Sequence, residues 1–298
     1  MRFSIIVPYR NREAWLPCAL AALAHQKYKD FELLLVDNGS TDTSRSICEG
    51  FAEAHATDGF RIRLLEQPEE GACRARNLGL REATSDFVLF FDSDDEISPL
   101  FLNDVDELLC QKPDLDIVAA RTRLCLPDGT LVTRRVVRTN NPSDQILCSM
   151  LTTQGMLVRT NFLREAGGWN EDLPKWNDWE LGLRLLLKSP RMVWLPRTYH
   201  TLHQHENSLT GHSWAATYDA LRPALVAVRT LIDGDSRCQR ALACREAVVA
   251  AELVLEGRHA EGSELLAEAT KLSRYASWVY TYRLHGGRGS WRLARLFP

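Results

Sequence analysis

The order of strand-like and helical segments predicts an α/β fold with a C-terminal helical extension. In residues 3–91, short apolar strands alternate with helical segments, and the strands are FSIIVP, FELLLV, RIRLLEQ and DFVLFF. The helical segments between them are WLPCALAALAHQ, STDTSRSICEGFAEAHA and ACRARNLGLREA. Near-continuous apolar strands that alternate with helices are typical of a parallel sheet covered on both faces.

The chain changes character after residue 115. The stretch DIVAARTRLCLPDGTLVTRRVV has a Pro-Asp-Gly-Thr turn between two β-prone runs, which predicts an antiparallel hairpin. A helix over 178–188 and a strand at MVWLP follow. Beyond residue 212 the strands stop, and two helices joined around Gly257 are expected. We therefore predict an α/β domain over 1–211 and a helical region over 212–298, which would stabilise the domain, form a homodimer or present a partner surface.

Composition excludes several classes of protein. The formal net charge is −3 and the pI is about 6.3, so no basic field points to nucleic acid. The eight cysteines include no pair at CxxC spacing, which argues against a zinc site or a disulfide framework and indicates a reducing cytoplasm. The chain has no signal-like start and no apolar run of the ~18 residues that a membrane span needs, so we expect a soluble protein.

The C-terminal tail is basic. Residues 282–298 carry four arginines and no acidic residue. This pattern fits a plain chain end or a weak peripheral contact with a membrane surface.

Four polar clusters follow the predicted strands: PYRN at 8–11, DNGSTD at 37–42, EEG at 69–71 and DSDDE at 92–96. In parallel sheets, ligands bind beyond the carboxyl ends of the strands, so we expect these clusters to form one ligand crevice.

The acidic cluster at 92–96 has three interpretations. Acidic residues before a helix at 99–110 would be favoured by the helix dipole. A calcium loop of the EF-hand type does not fit, because Ile97 stands where that loop needs glycine and Asn103 where it needs glutamate. The third interpretation is a divalent cation, Mn²⁺ or Mg²⁺, shared with a bound diphosphate. Asp92 and Asp94 lie two residues apart and would face the same side of an extended backbone.

The motifs IIVPYRN, LLLVDNGSTD, GACRARNLGL and FVLFFDSDDE resemble, in this order, the nucleotide-sugar half of the inverting family 2 glycosyltransferases. The resemblance continues through GGWNEDLPKWNDWELGLRL to HENSLT and covers residues 1–210. It implies a GT-A fold, which is a Rossmann-like mixed sheet with a nucleotide-binding half and an acceptor half.

The resemblance also implies a nucleotide-binding set, in which Asp37 binds the base, Arg76 the base or phosphate, and Asp92 the ribose. Pro8, Tyr9 and Asn11 would line the base pocket, and Ser93 belongs to the motif of Asp92. An alternative for Asp37 is an Asx-turn or a helix cap. Arg74 is the alternative to Arg76, since two residues that are two apart cannot face the same way on a helix.

By the same resemblance, Asp94 is a metal ligand, and Asp95 is its alternative. His205 would ligate the metal or contact the diphosphate. His203 stands where the family commonly has arginine, which is a departure from the pattern of the diphosphate-binding segment.

The resemblance assigns the general base to Asp178, with Glu180 as the next candidate. Their alternative role is to complement the dipole of the helix that begins there. Glu180 and Arg184 are expected to pair at i,i+4 on the exposed side of that helix. On the acceptor side we expect Gly155, Trp176 and Trp179, although a cluster of tryptophans, Trp169 included, could equally form core.

These residues predict a metal-dependent, inverting glycosyltransferase. The donor would be a nucleotide sugar, most often a UDP-sugar in this family, and the acceptor a hydroxyl of a glycan or lipid-linked molecule. Cell-surface polysaccharide synthesis at the cytoplasmic face of a membrane is the implied setting. A nucleotidyltransferase is a rival, but the segment IIVPYRNREAW lacks the glycines of a phosphate loop. A non-catalytic nucleotide-sugar-binding scaffold is another rival, which would have no use for Asp178.

Overall fold

The computed structural model describes residues 1–56, 60–133, 137–204 and 213–289. The chain forms two compact units, each built from several segments. The first, which we call the sheet unit, contains Met1–Val136, Leu151–Glu171 and Ser189–Ser208. The second, the helical unit, contains Val137–Met150, Asp172–Lys188 and Leu209–Pro298.

The first half of the sheet unit confirms the predicted strand–helix alternation. Its parallel strands are β1 (Phe3–Tyr9), β2 (Phe31–Asp37), β3 (Phe60–Glu66) and β4 (Phe87–Phe90), in the order β3-β2-β1-β4. The helices between them are α1 (Leu16–Ala24), α2 (Ser44–His55) and α3 (Ala72–Glu82). Every residue of β1 and β2 is buried, as expected of strands covered on both faces.

The other half makes the sheet mixed. Strand β8 (Met156–Arg159) runs antiparallel to β4, and β6 (Ile117–Cys125) runs antiparallel to β8. Strand β9 (Met192–His203) is parallel to β6 and pairs with the short β5 (Glu96–Ile97). Strand β7 (Leu131–Thr133) completes the hairpin predicted around Pro127–Thr130. Helices α4 (Phe101–Gln111) and α6 (Thr160–Glu165) belong to this half.

Two contacts fix the packing of the parallel strands. A Cβ added to Gly79 of α3 would lie 2.4 Å from Ile6 Cγ2, so only glycine lets this helix approach β1 so closely. Near the start of the strands, the buried carboxylate of Glu32 accepts hydrogen bonds from Ser4 Oγ and from the amide and hydroxyl of Thr84. A buried carboxylate with several donors holds neighbouring elements in one register, because each lost bond leaves an unpaired polar group.

The helical unit consists of helices that come from both halves of the chain: α5 (Pro142–Cys148), α7 (Asn177–Leu187), α8 (Trp214–Leu231), α9 (Ser236–Leu255), α10 (His259–Leu272) and α11 (Tyr275–Leu284). Gly257 lies between α9 and α10 with φ +90°, which confirms the predicted helical hairpin. Trp179 and Leu183 of α7 lie in one hydrophobic core with Leu225 of α8 and Leu242 of α9. Among the described helices, none is both long and apolar enough to cross a membrane.

The compact units do not follow a single cut along the chain. Residues 137–150 and 172–188 belong with the C-terminal helices. The division into domains at 211/212 remains a prediction.

One buried histidine gives the sheet unit a pH-dependent stability. His200 of β9 is fully buried against the Phe101 ring, and burial lowers its pKa from 6.5 to about 3. Unfolded histidine takes up a proton near pH 6.5, so the unfolded state binds more protons than the folded state between these values. His200 therefore costs stability as the pH falls below 6.5.

We expect the free energy of unfolding to fall by about 2 kcal/mol more in the wild type than in His200→Phe between about pH 7 and about pH 5. Urea denaturation at both pH values measures this difference. The exposed His25→Gln variant serves as the control and should keep the wild-type pH dependence. Equal pH dependence of wild type and His200→Phe would contradict the assignment.

Candidate functional site

The carboxyl ends of β1, β2 and β3 are joined by one asparagine. The backbone amide of Asn38 donates to Tyr9 O at 2.9 Å. Its side-chain amide donates to Gln67 O at 3.0 Å and Glu69 O at 2.7 Å, and its Oδ1 accepts the Gly71 amide at 2.8 Å. Three of the four polar clusters predicted to meet at this edge do meet, and Asn38, which the sequence did not single out, holds these three together.

The predicted base-pocket residues lie at this edge in different environments. Asn11 has φ 51°, and its Oδ1 accepts the Thr41 amide at 2.8 Å. Asp37 is 5% exposed, and its Oδ1 accepts the amide of Ser40, three residues further on, at 2.9 Å, so its carboxylate is bonded to the local backbone. Pro8 is buried, and the Tyr9 side chain packs in the hydrophobic core, where burial raises the pKa of its hydroxyl. The nucleotide-binding role of these residues stays a prediction.

The side chain of Arg76, a residue of α3, lies beside the acidic cluster that follows β4. Its Nη2 donates to Asp92 Oδ1 at 2.8 Å, and its guanidinium lies 4.5 Å from the centre of the Trp169 ring. Arg74 points elsewhere and pairs with Glu69 at the surface. The two arginines thus face different ways, as predicted, and Arg76 is the one in contact with Asp92.

Gln154 connects two acids of the cluster. Its side-chain amide donates to Asp92 Oδ2 at 2.6 Å and to Asp95 Oδ2, while Asp95 Oδ1 accepts the His203 amide at 3.0 Å. Gln154 and Asp95 are 2% and 5% exposed. Burial, and then the neighbouring Asp92 and Asp94, raise the pKa of the Asp95 carboxyl well above its usual range. Asp95 is therefore a buried structural member of the cluster. It is bonded by Gln154, which lies just before β8, and by the backbone amide of His203 in β9.

Asp94 has a more open environment than Asp95. Its side chain is 18% exposed, and Oδ2 lies 3.9 Å from Arg12 Nε. Ser93, between Asp92 and Asp94, is buried. Of the two candidate ligands, Asp94 is therefore the one that a cation from solvent can reach.

Whether the acidic cluster at 92–96 fits a divalent cation depends on the ligands that it offers. Within the described ranges, no group of three or more His, Cys, Asp and Glu side chains is arranged to hold a metal by itself. Mg²⁺ and Mn²⁺ sites that use one or two carboxylates plus phosphate oxygens and water do not need such a group. The repulsion among Asp92, Asp94 and Asp95 favours a cation beside them, so the residues fit. His205, the second predicted ligand, lies outside the described residues.

The proposed base lies in the helical unit. Asp178 is the second residue of α7, and the residue before the helix, Trp176, has a left-handed backbone with φ 57° and ψ 25°. Glu180 forms the predicted pair with Arg184, with Nε–Oε1 and Nη2–Oε2 distances of 2.6 and 2.8 Å. The prediction that this pair lies on the exposed side was wrong for Glu180, which is only 2% exposed. Both carboxylate oxygens of Glu180 are thus bonded to two nitrogens of the Arg184 guanidinium, which holds the carboxylate against its own helix.

The predicted acceptor residues differ in exposure. Trp179 is 1% exposed and its indole nitrogen donates to Gln145 O and Ile146 O at 3.1 Å, so it is a core residue with no ring face for a sugar. Trp169 is also core. Trp176 is partly exposed. Gly155 is tightly packed, because an added Cβ would lie 2.7 Å from Thr152 Oγ1 and 3.1 Å from Ala120 O.

Comparison with known structures assigns the fold. The chain superposes on the crystal structure of Staphylococcus aureus TarS residues 1–349 in complex with UDP-GlcNAc with a TM-score of 0.70, at 21% identity over 99% of this chain and 88% of that one. It also superposes on the mannosyltransferase PcManGT of Pyrobaculum calidifontis, in complex with GDP-Man and Mn²⁺, with a TM-score of 0.58, at 18% identity over 99% and 87% of the two chains. The GT-A fold with a helical C-terminal region is confirmed.

Sequence comparison assigns the family. The profile of glycosyl transferase family 2 matches residues 4–164, more than half of the chain, and the chain belongs to this family of transferases. It is 27% identical over 224 residues to the minor teichoic acid biosynthesis protein GgaA of Bacillus subtilis, covering 71% of this chain. It is 31% identical over 157 residues to the poly(ribitol-phosphate) beta-N-acetylglucosaminyltransferase TarS of S. aureus, covering 48% of this chain. The matched regions span 50% of GgaA and 27% of TarS, so they cover only part of these relatives.

Proposed function

We propose that this protein is a metal-dependent, inverting glycosyltransferase that moves a sugar from a UDP-sugar to a hydroxyl of a glycan or lipid-linked acceptor. The observation that carries the proposal is the acidic cluster at the end of β4, where Arg76 and Gln154 hold Asp92 and Asp95 while Asp94 remains accessible. Structures of the same fold that contain UDP-GlcNAc, or GDP-Man with Mn²⁺, support a nucleotide-sugar donor.

Donor binding is assigned to the sheet unit. Asp92, which Arg76 and Gln154 orient, would accept hydrogen bonds from the ribose hydroxyls. Asn11 and Asp37, at the ends of β1 and β2, would bind the base, together with the backbone of Pro8, Tyr9 and Ser93. Each of these groups is held by hydrogen bonds or burial at the edge where the parallel strands end, so the donor meets side chains that are already in place.

Asp94, with His205, would hold Mn²⁺ or Mg²⁺. When bound, the cation would stabilise the departing nucleoside diphosphate, which carries about two to three negative charges. The remaining chemistry belongs to the protein. Asp178 would accept the proton of the acceptor hydroxyl. The oxygen of that hydroxyl would attack the sugar C1 from the face opposite the diphosphate, which inverts the configuration at C1.

The acceptor class is inferred from the named relatives. GgaA is a minor teichoic acid biosynthesis protein, and TarS acts on poly(ribitol-phosphate). We infer that this chain likewise glycosylates a cell-surface polymer or its lipid-linked precursor from the cytoplasmic side, with Gly155 and Trp176 on the acceptor side.

A peripheral membrane contact would suit a lipid-linked acceptor, and α11 offers a surface for it. Trp278 and Tyr282 lie four residues apart and are 75% and 41% exposed. Basic side chains flank them in the sequence, with Arg274 before and Arg288 after. Exposed aromatic residues beside arginines are typical of surfaces that bind anionic lipid headgroups.

The membrane contact predicts that the protein co-sediments with phosphatidylglycerol vesicles more than with phosphatidylcholine vesicles, and that Trp278→Ser lowers the bound fraction severalfold. Leu131→Ser, at another exposed apolar residue, is the matched control. If Trp278→Ser leaves vesicle binding intact but changes the mass of the particle in solution, the surface is a homodimer interface instead.

The donor site predicts selective stabilisation by nucleotides. With Mn²⁺ and a ligand at about 100 times its Kd, uridine nucleotides should raise Tm by about 5 °C or more, because ligand binding stabilises the folded state by about 2.7 kcal/mol. Asp94→Ala should lose the Mn²⁺-dependent part of the shift. Asp86→Ala, at the opposite end of β4, should keep it. A full shift in Asp94→Ala would remove Asp94 from the metal site, and stabilisation without uridine selectivity would contradict the proposed donor.

The base assignment predicts that Asp178→Asn binds donor normally but lowers the rate of transfer, or of donor hydrolysis by water, by about 10²-fold or more. UDP release measures the rate, and calorimetry with UDP measures binding. Glu180→Gln should instead lower Tm, because it breaks a buried pair with Arg184. An Asp178→Asn variant with the wild-type rate would mean that another residue is the base.

A further inference from the structure

Within the helical unit, the segment that leads into α7 has an unusual backbone. Trp176 has φ 57°, a conformation that bulky residues rarely adopt and that persists only when the surroundings determine it. The Glu180 amide donates to Trp176 O at 3.1 Å, so this residue begins the helix. Asp178 follows two residues later. The backbone conformation of Trp176 therefore sets how the chain enters the first turn of α7, which carries Asp178.

Side chains from α7 itself and from two other helices of the unit pack on the Trp176 ring. The Trp176 ring packs edge-to-face against Trp179, with centroids 4.9 Å apart, and against Trp214 of α8 at 6.1 Å. The guanidinium of Arg245, from α9, lies 4.5 Å from the Trp176 ring centre and 5.7 Å from that of Trp179. A cation at these distances over a tryptophan face is attracted by the ring electrons, and a planar guanidinium also stacks on the ring.

Arg245 is itself held in place at a second helix. Its Nη1 donates to Leu147 O at 3.1 Å and its Nη2 to Ser149 Oγ at 3.3 Å. These groups lie at the C-terminal end of α5, where a cation complements the helix dipole. One guanidinium thus connects the end of α5 to the tryptophan that begins α7.

We propose that Arg245 is a positioning residue for the reaction: it fixes the left-handed conformation of Trp176 and so aims Asp178. The inference rests on the proposed role of Asp178 as the base. It gives the helical region a part in catalysis, although Arg245 lies far beyond the residues that match the family profile. A displacement of about 1 Å in a catalytic group lowers a rate by up to about 10²-fold, so indirect support of this kind is measurable.

The test compares Arg245→Met, which keeps the length and apolar stem of the side chain, with Arg237→Met on the exposed start of the same helix. Arg245→Met should lower kcat about tenfold or more while KM for the donor stays within about twofold. Arg237→Met should retain both constants. The rate is measured, in the presence of Mn²⁺, as the release of UDP from the UDP-sugar that gives the largest thermal shift.

A double mutant separates positioning from general loss of structure. If Arg245 acts through Asp178, adding Arg245→Met to Asp178→Asn should lower the residual rate by no more than about twofold. A further tenfold loss, or an unchanged kcat in Arg245→Met alone, would overturn the proposal. Should Arg245→Met not fold, Arg245→Lys takes its place: it keeps the charge but lacks the planar fork, and a wild-type kcat at wild-type Tm would overturn the role of the guanidinium.

The test of Asp178 as the base does not depend on the result for Arg245. A wild-type rate in Asp178→Asn would refute the base assignment whatever Arg245 does. A slow Asp178→Asn together with a fast Arg245→Met would refute only the positioning role.

Discussion

The repulsion among the carboxylates that follow β4 is the constraint on which the candidate donor site depends. Asp92, Asp94 and Asp95 lie within one short turn, and the protein compensates their charge unevenly. Asp92 is bonded by Arg76 and Gln154, and Asp95 is buried beneath Gln154 and the His203 amide. Asp94 keeps a partly exposed side chain near Arg12. The fold thus holds Asp92 and Asp95 by hydrogen bonds and leaves Asp94 partly exposed, and we propose that Asp94 is the acid that binds the cation.

Because their negative charges are compensated unevenly, carboxylates of the same chemical type have different roles. A buried acid whose pKa is raised, such as Asp95, holds the chain in place, since its oxygens are already used. Glu180 is excluded as a convenient base by the same reasoning, because both of its oxygens are bound by Arg184 in a buried pair. In each pair of candidates, burial distinguishes the structural acid from the one we propose to be functional.

The sequence predicted the parallel half of the sheet well because its signals are local. Continuous apolar runs identify β1, β2 and β4, and the turn at Pro127–Thr130 identifies the β6–β7 hairpin. Residues whose roles depend on distant contacts were missed. Asn38 joins three strand ends, and Gln154 is separated from Asp92 by 62 positions along the chain, so no spacing in the sequence indicates either contact. The burial of Glu180 was missed for the same reason, and the sequence left Trp179 open between core and acceptor side, since α7 shares its core with residues of α5, α8 and α9.

The organisation of the helical unit changes how the C-terminal region is understood. From the sequence it is an appendage after residue 211, whereas in the structure α7, which carries Asp178, shares its core with the C-terminal helices. Because Arg245 and Trp214 pack on the residue that precedes α7, the C-terminal helices bear on the proposed chemistry through packing.

The central claim, that Asp94 holds a divalent cation together with the diphosphate of a uridine nucleotide, is tested most directly by crystallography. Crystals soaked with MnCl₂ and UDP would be measured for anomalous scattering at the manganese absorption edge. We expect an anomalous peak at coordination distance, about 2 Å, from a carboxylate oxygen of Asp94 and next to the diphosphate oxygens. A bound nucleotide with no peak beside Asp94, or a peak held by other residues, would contradict the central claim.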